Sequence, residues 1–367
     1  MEYLNARKIA FADRFMPYYI ASSACHIMNL ENKSRQFYLE SGTLPDLRVQ
    51  MFLVSPPGFM KSFFLKILLQ TPTSLLGGTV VKTAYQGSLS EAGFVGTIRF
   101  GSEDEPVTSF GAAAEYSDYI VGIEEFNALT NAMKQEHSTN LDNALLTALD
   151  SGRLVKRLGA GEIKYDTNIT LFSGSQPARF NLSSGLGRRF VFIYFIPNAK
   201  EKEKLKIARR EGRGVSGRPE VLKQVIKDVA YIEDRCKYVK EFEFSSRFTN
   251  FLDTLGVTHF VEPLYERLGL GFTLSTKTID TIVKVDLNEE LKRFLQDVHV
   301  WRQEIARGAE EGQIVKVLMD ENPISDHNLK EKLLDFGLTY LKSEELLQIL
   351  IKQKRVKRNE GKIELVK

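Results

Sequence analysis

Cysteine is nearly absent from this sequence: Cys25 and Cys236 are the only two among 367 residues. Two thiols so far apart in the chain make neither a metal-ligand spacing nor a disulfide framework. They read as buried, reduced side chains of a cytoplasmic protein. Also missing is any apolar run approaching the length of a membrane span, and the opening Met1-Glu2-Tyr3-Leu4-Asn5 has no signal-peptide pattern. The expectation is a protein with no membrane segment. What remains, 43% apolar and 26% charged residues, is the composition of a soluble globular chain. Its length suits two or three domains. His26 has no partner evident in the pattern and reads as a structural residue.

Charge of one sign is also scarce, except at one end. The net charge is +3, yet residues 350–367 hold seven Lys or Arg against two Glu, a net +5, which leaves the remainder at −2. A basic end on a neutral body points to an anionic partner touched by that end, with a solvated tail as the alternative.

The stretch around which the chain is organised is Val54-Ser55-Pro56-Pro57-Gly58-Phe59-Met60-Lys61-Ser62. An apolar run, Met51-Phe52-Leu53-Val54, precedes it, and Phe63-Phe64-Leu65-Lys66-Ile67-Leu68-Leu69 follows. Strand, Gly/Pro turn ending in Lys-Ser, then buried helix is an arrangement that holds a triphosphate: backbone N–H groups face the phosphates, Lys61 reaches the β/γ oxygens, and the Ser62 hydroxyl holds Mg²⁺. The common spacing G-x-x-x-x-G-K-[ST] wants glycine where Ser55 and Met60 stand. A proline turn before a helix is the plain alternative.

Further along, Tyr119-Ile120-Val121-Gly122-Ile123 predicts a strand that ends in Glu124-Glu125. Like charges repel and are costly to desolvate at a strand end; a divalent cation would explain the pair, Glu124 supporting it and Glu125 polarising a water. A solvated strand end is the competing explanation. The rest of the core reads as a helix within 1–48, strands at 49–54, 79–82, 168–173 and 191–196, a helix at 138–152, and hairpins at 94–110 and 153–165. Lys156, Arg157 and Lys164 make the second hairpin basic. Gln176 follows the strand at 168–173, and Arg188-Arg189 opens the last strand, where an arginine near a nucleotide becomes a candidate transition-state cation. Residues 200–306 read as all-helical. Residues 309–367 read as a separate unit: helices at 310–319, 327–336 and 343–353, the last capped by Lys342-Ser343-Glu344-Glu345, then two short strands around Asn359-Glu360-Gly361. Three helices and a basic hairpin predict a winged helix, with Lys357 and Arg358 toward DNA; a protein-docking module is the alternative.

In this order the pieces resemble the AAA+ ATPases, and among them the minichromosome maintenance helicases. Pro57-Gly58-Phe59-Met60-Lys61-Ser62 is similar to that family's Walker A loop, which also has a non-glycine before the lysine; Ser55 departs from it. Ile123-Glu124-Glu125-Phe126-Asn127 resembles its Walker B sequence with Glu124 in place of Asp. The resemblance implies an α/β fold: an AAA+ P-loop core with a parallel sheet over 1–200, a helical lid over 201–306 and a C-terminal winged helix over 309–367. It implies ATP and Mg²⁺ as cofactors and DNA as partner. Ser55, Pro56, Pro57, Gly58, Phe59, Met60, Lys61, Ser62 and Lys277 would bind nucleotide, and Ser62 and Glu124 the metal. Glu125 would be the base, Gln176 the water-orienting amide and Arg189 an arginine finger acting on a neighbouring subunit. Such a finger implies a homo-oligomer, most simply a hexameric ring. The basic hairpin would grip DNA in the channel. About 45 residues precede the core, so the expectation is a member without the large N-terminal collar, as in an archaeal mobile element or virus. The activity implied is ATP-driven translocation on DNA in replication. A slowly hydrolysing initiator or switch is the alternative, and a pseudo-ATPase is a third.

Overall fold

The computed structural model describes residues 9–32, 38–42, 46–55, 61–70, 74–100, 106–124, 126, 139–150, 152–158, 161–175, 185–195, 197, 199–212, 219–276, 279–335 and 338–366. It has a mixed α/β architecture around a five-stranded parallel sheet. The strands are β1 (Gln50–Val54), β2 (Lys82–Gln86), β5 (Tyr119–Ile123), β8 (Thr170–Ser175) and β9 (Phe190–Tyr194), in the spatial order β2-β5-β8-β1-β9. Every residue of β1 is buried, as expected of a central parallel strand covered on both faces. Its side chains alternate between two cores: Met51 and Leu53 join Phe64, Leu65, Phe172, Val191 and Ile193 on one side, while Phe52 and Val54 join Val121, Leu145, Leu149, Leu171 and Phe192 on the other. The first side is covered by α1 (Ala12–Glu31) and α2 (Lys61–Leu69), the second by α5 (Thr139–Asp150). Phe52 meets Phe126 and Phe190 edge-on at 5.5 and 5.4 Å.

Two hairpins leave the sheet. The first, β3 (Gly96–Phe100) and β4 (Pro106–Phe110), is flanked by the short helices α3 (Glu91–Val95) and α4 (Ala112–Glu115); the second is β6 (Arg153–Leu158) and β7 (Gly161–Asp166). They pack on each other: the Tyr165 hydroxyl donates to Val95 O at 2.8 Å, and its ring meets Phe110 edge-on at 5.8 Å.

The region after the sheet differs from the all-helical expectation. Helices α6 (Ala199–Glu211), α7 (Pro219–Cys236), α8 (Ser246–Leu255) and α9 (Glu262–Ser275) are interrupted by a parallel strand pair, β10 (Glu241–Phe244) with β11 (Ile282–Val285). Glu-Phe-Glu-Phe has the two-residue period of a strand, and Ile282-Val283-Lys284-Val285 is β-branched, so the local signal was present but short. Gly256 adopts φ 66 and caps α8, separating it from α9. α9 crosses α1 at backbone distance: a Cβ on Gly271 would sit 2.4 Å from Ala21 O and 2.6 Å from Cys25 Sγ.

The expected break near 306–309 also falls inside one helix. α10 (Glu289–Asp320) runs 32 residues, about 48 Å at 1.5 Å per residue. It places Trp301 and Ile305 in the two cores of the sheet, and Ile314, Val317 and Leu318 in a third, C-terminal core. That third core is closed by α11 (Asp326–Asp335), α12 (Tyr340–Lys352) and an antiparallel sheet of order β12-β14-β13 (Ile324–Ser325, Lys362–Leu365, Val356–Asn359). Positive φ at Glu360 and Gly361, 48° and 76°, makes the tight turn between the last two strands. Capping of α12 is corrected too: Thr339 accepts from Lys342 N, and Ser343 is buried inside the helix. The second strand of the core lies at 82–86 rather than 79–82. None of the described helices is long and apolar enough to cross a membrane.

Candidate functional site

The C-terminal edge of a parallel sheet is where open α/β folds collect ligand groups, and here it collects Lys61, Ser62 and Glu124. Ser55, just past β1, is buried; its N–H donates to Ser175 O at 3.1 Å, and its carbonyl accepts from Lys61 Nζ at 2.6 Å. Lys61 opens α2, and burial pushes its ammonium pKa below the usual lysine value. The aliphatic stem of Lys61 lies over Gly174. A Cβ there would be 3.0 Å from Leu53 O and 3.1 Å from Lys61 Cδ, so the glycine makes room for the lysine.

Ser62 and Glu124 are brought into direct contact. The Ser62 hydroxyl donates to Glu124 Oε1, and the Tyr85 hydroxyl donates to Oε2. Glu124 N donates to Gln86 O at 3.1 Å, and Ser173 Oγ donates to Ile123 O at 2.8 Å, so the ends of β2, β5 and β8 are laced together. The Ser62 hydrogen bond, then the one from Tyr85, holds the Glu124 carboxyl below the usual carboxylate range, with the Lys66 ammonium adding to the shift against the opposing effect of burial. Burial first, then the Glu124 carboxylate, pushes the Tyr85 phenol above its ordinary value. Lys66 Nζ lies 5.7 Å from the Tyr85 ring centroid.

A hydroxyl and a carboxylate in contact are hard oxygen donors of the kind Mg²⁺ takes, and Mg²⁺ is usually held by one or two carboxylates plus phosphate and water. Among the described residues no group of three His, Cys, Asp or Glu could hold a metal by itself. One hydroxyl and one carboxylate are a donor set that fits Mg²⁺ if phosphate and water complete its shell. Pro56, Pro57, Gly58, Phe59, Met60, Glu125, Gln176 and Lys277 lie outside the described residues.

Arg189 stands at the other edge. It directly precedes β9, whose first residue, Phe190, is in register with Gln50 at the start of β1. The length of β1, about 16 Å at 3.3 Å per residue, separates that level from the Lys61 loop. Arg189 Nη2 pairs with Asp150 Oδ2 at 2.7 Å. Arg188 is exposed and lies over the Phe260 ring at 5.7 Å.

The basic hairpin splits its cations between faces. Arg157 and Lys164 are exposed on the face that also carries Val155, whereas Lys156 is half-buried on the face of Leu154 and Ile163. In the C-terminal unit, Arg358 is half-buried and ion-paired. Its guanidinium bonds Glu344 at 3.0 and 2.8 Å and Asp326 at 3.1 Å, and Lys330 joins the same carboxylates. Lys357 pairs across the strands with Glu364 at 2.9 Å. Exposed Lys352, Lys354 and Lys362 make no ion pair among the described residues.

Sequence reasoning missed Tyr85, Lys66 and Gly174. A strand placed at 79–82 left Tyr85 in a loop, and no local pattern marks a glycine as the floor under a lysine. His26, read as structural, is buried with Nδ1 2.8 Å from Thr170 Oγ1 and Nε2 3.3 Å from Asp118 O. Both cysteines are buried thiols. No protein-family profile matches the chain, and no curated protein matches it.

Proposed function

We propose that the chain is an AAA+ ATPase that acts on DNA as a ring, resembling the minichromosome maintenance helicases, with residues 309–367 as a winged helix and the helices after the sheet as a lid. The observation that carries this reading is the contact between Ser62, in the first turn of α2, and Glu124, just past the end of β5 and 62 positions away in sequence, beside Lys61 at the same helix N-terminus. A structural explanation would have to account separately for a half-buried lysine, a glycine that accommodates it and a carboxylate with two hydroxyl donors.

When bound, ATP with Mg²⁺ supplies the phosphoanhydride and the charge that spreads over the γ-phosphate oxygens. Lys61 would exchange the Ser55 carbonyl for phosphate oxygens. The first N–H groups of α2 would point at the same phosphates. Ser62 and Glu124 would hold the cation between them, Glu125 would polarise water, and Gln176 would orient it. Arg189 sits a strand length from its own chain's loop, so it would serve the nucleotide of a neighbouring copy, which is why a ring belongs to the proposal. Arg157 and Lys164 would face DNA from the hairpin. In the C-terminal unit Lys357 and Arg358 would face DNA together with the exposed lysines around them, Arg358 while ion-paired to Glu344 and Asp326 and Lys357 while paired to Glu364.

A second reading is an ATP-dependent initiator or switch with slow hydrolysis. It is favoured by the Asp150 partner that Arg189 must leave and by Ser55 and Glu124 in place of the family's residues. The test is ATP turnover with and without single- and double-stranded DNA for wild type, Lys61→Ala, Arg189→Ala and a mixture of the two variants. A motor predicts DNA-stimulated turnover, its loss in each variant, and partial recovery in the mixture. ATP binding with negligible turnover on every DNA moves the assignment to the switch. No ATP binding by the wild type removes both.

A further inference from the structure

We propose that Tyr85 is a positioning residue for the metal-binding carboxylate: its phenol O–H holds Oε2 of Glu124 so that Oε1 stays turned toward Ser62 and a cation beside it. The inference rests on the nucleotide reading of the same site. Its basis is the pair of hydrogen bonds that divide the carboxylate, Ser62 to one oxygen and Tyr85 to the other.

Three further features select a tyrosine at this position. Tyr85 is in register with Gly122 on β5. A Cβ on Gly122 would lie 3.2 Å from Tyr85 Cδ2 and 2.8 Å from Leu69 Cδ1, so the ring rests on a place kept clear of side chain. Lys66, one turn beyond Ser62 on α2, lies near the ring with its ammonium 5.7 Å from the centroid, which favours the ring electrostatically and sets a positive charge near the phenol's acceptor. Finally, residue 124 is a glutamate, whose side chain has one more rotatable bond than aspartate. A second anchor restricts that freedom and offsets part of the entropy of ordering a longer carboxylate.

The test uses the full chain and the variant Tyr85→Phe, which keeps the ring and its packing and removes only the hydroxyl. Binding of a fluorescent ATP analogue is titrated with Mg²⁺. In parallel, Mn²⁺ binding in the presence of a non-hydrolysable ATP analogue is followed by electron paramagnetic resonance. Losing a hydrogen bond to a charged acceptor should raise the metal midpoint about tenfold or more, with nucleotide affinity in EDTA unchanged. Glu124→Asp, whose carboxylate is one methylene shorter and is drawn away from Tyr85, supplies a double-mutant cycle: adding Tyr85→Phe to it should have little further effect. A wild type with metal-dependent nucleotide binding and a Tyr85→Phe variant with the same metal midpoint overturns the role of Tyr85 and leaves the nucleotide reading standing. A wild type without metal-dependent binding overturns both.

Discussion

At the N-terminal edge of the parallel sheet, Arg48 is 1% exposed and has all its donors committed: Asp46 accepts from Nε at 2.8 Å and Nη2 at 2.7 Å, Ile169 O and Thr167 O from Nη1 at 2.8 and 3.4 Å, and Ala148 O from Nη2 at 3.0 Å. Arg267, also inside, donates to the carbonyls of Asp46 and Arg48 at 3.2 and 2.9 Å. At the C-terminal edge, Lys61, Ser62, Tyr85 and Glu124 are half-buried: Lys61 bonds the Ser55 carbonyl, and Ser62 and Tyr85 both bond Glu124. The first arrangement ties β1, β8 and α5 into one body and has no partner to exchange. In the second, the side chains bond one another or a backbone carbonyl, contacts that a phosphate or a cation could replace. The same sheet thus has one edge whose polar groups stabilise the fold and another whose polar groups are available for chemistry.

The largest expected effect tests the first edge. Arg48→Ala leaves Asp46 and three carbonyls without their donor, and removal of one partner from a buried charge pair costs about 3–5 kcal/mol. Chemical denaturation should show the midpoint falling accordingly, whether or not a nucleotide is present. A loss below about 1 kcal/mol would mean that water replaces the guanidinium, and the contrast between the edges would fail.

Gly174→Ala probes the second edge and should be milder. The added methyl meets the Leu53 carbonyl and the Lys61 stem, and overpacking of this kind costs about 1–3 kcal/mol. Because the Lys61 stem is flexible, part of the cost is relieved by displacing it from the Ser55 carbonyl. Nucleotide affinity should therefore fall by more than the stability loss explains. Equal stability with unaltered affinity would show that Lys61 does not depend on this floor.

Much of this frame was legible in the sequence. The stretches read as strands at 49–54, 119–123, 168–173 and 191–196 became four of the five core strands; β1 and β9 have the nearly unbroken apolar sequence of a parallel strand buried on both faces, whereas β8 ends in Ser173-Gly174-Ser175. The fifth, Lys82-Thr83-Ala84-Tyr85-Gln86, is half-exposed at the sheet edge, so its composition carries little signal and it was placed three residues early. Lys61, Ser62 and Glu124 were found because helix-start and strand-end positions are local properties. Tyr85 and Gly174 were not, because their roles are contacts across 39 and 113 positions of chain. Arg358 shows the same limit from the other side: no local pattern in a basic C-terminal hairpin reveals that Glu344 and Asp326 pack against its guanidinium.

The pair of Arg189 with Asp150 separates the two ways of holding a charge most finely, since it lies at the structural edge but is built like the exchangeable one. The Asp150 side chain is 59% exposed and that of Arg189 14%, so water reaches the carboxylate and the pair contributes only about 0–1 kcal/mol. Asp150→Ala should leave the denaturation midpoint nearly unchanged while removing one partner of the guanidinium. If Arg189 serves a neighbouring nucleotide, turnover per subunit in the assembled protein should hold or rise, because one competitor for the arginine is gone, and Arg189→Ala should abolish it in the same background. If Asp150→Ala instead destabilises by as much as Arg48→Ala, Arg189 is a strut like Arg48. The N-terminal edge would then be structural throughout, and the cation that completes the site would have to be sought at Arg188, the exposed neighbour over Phe260.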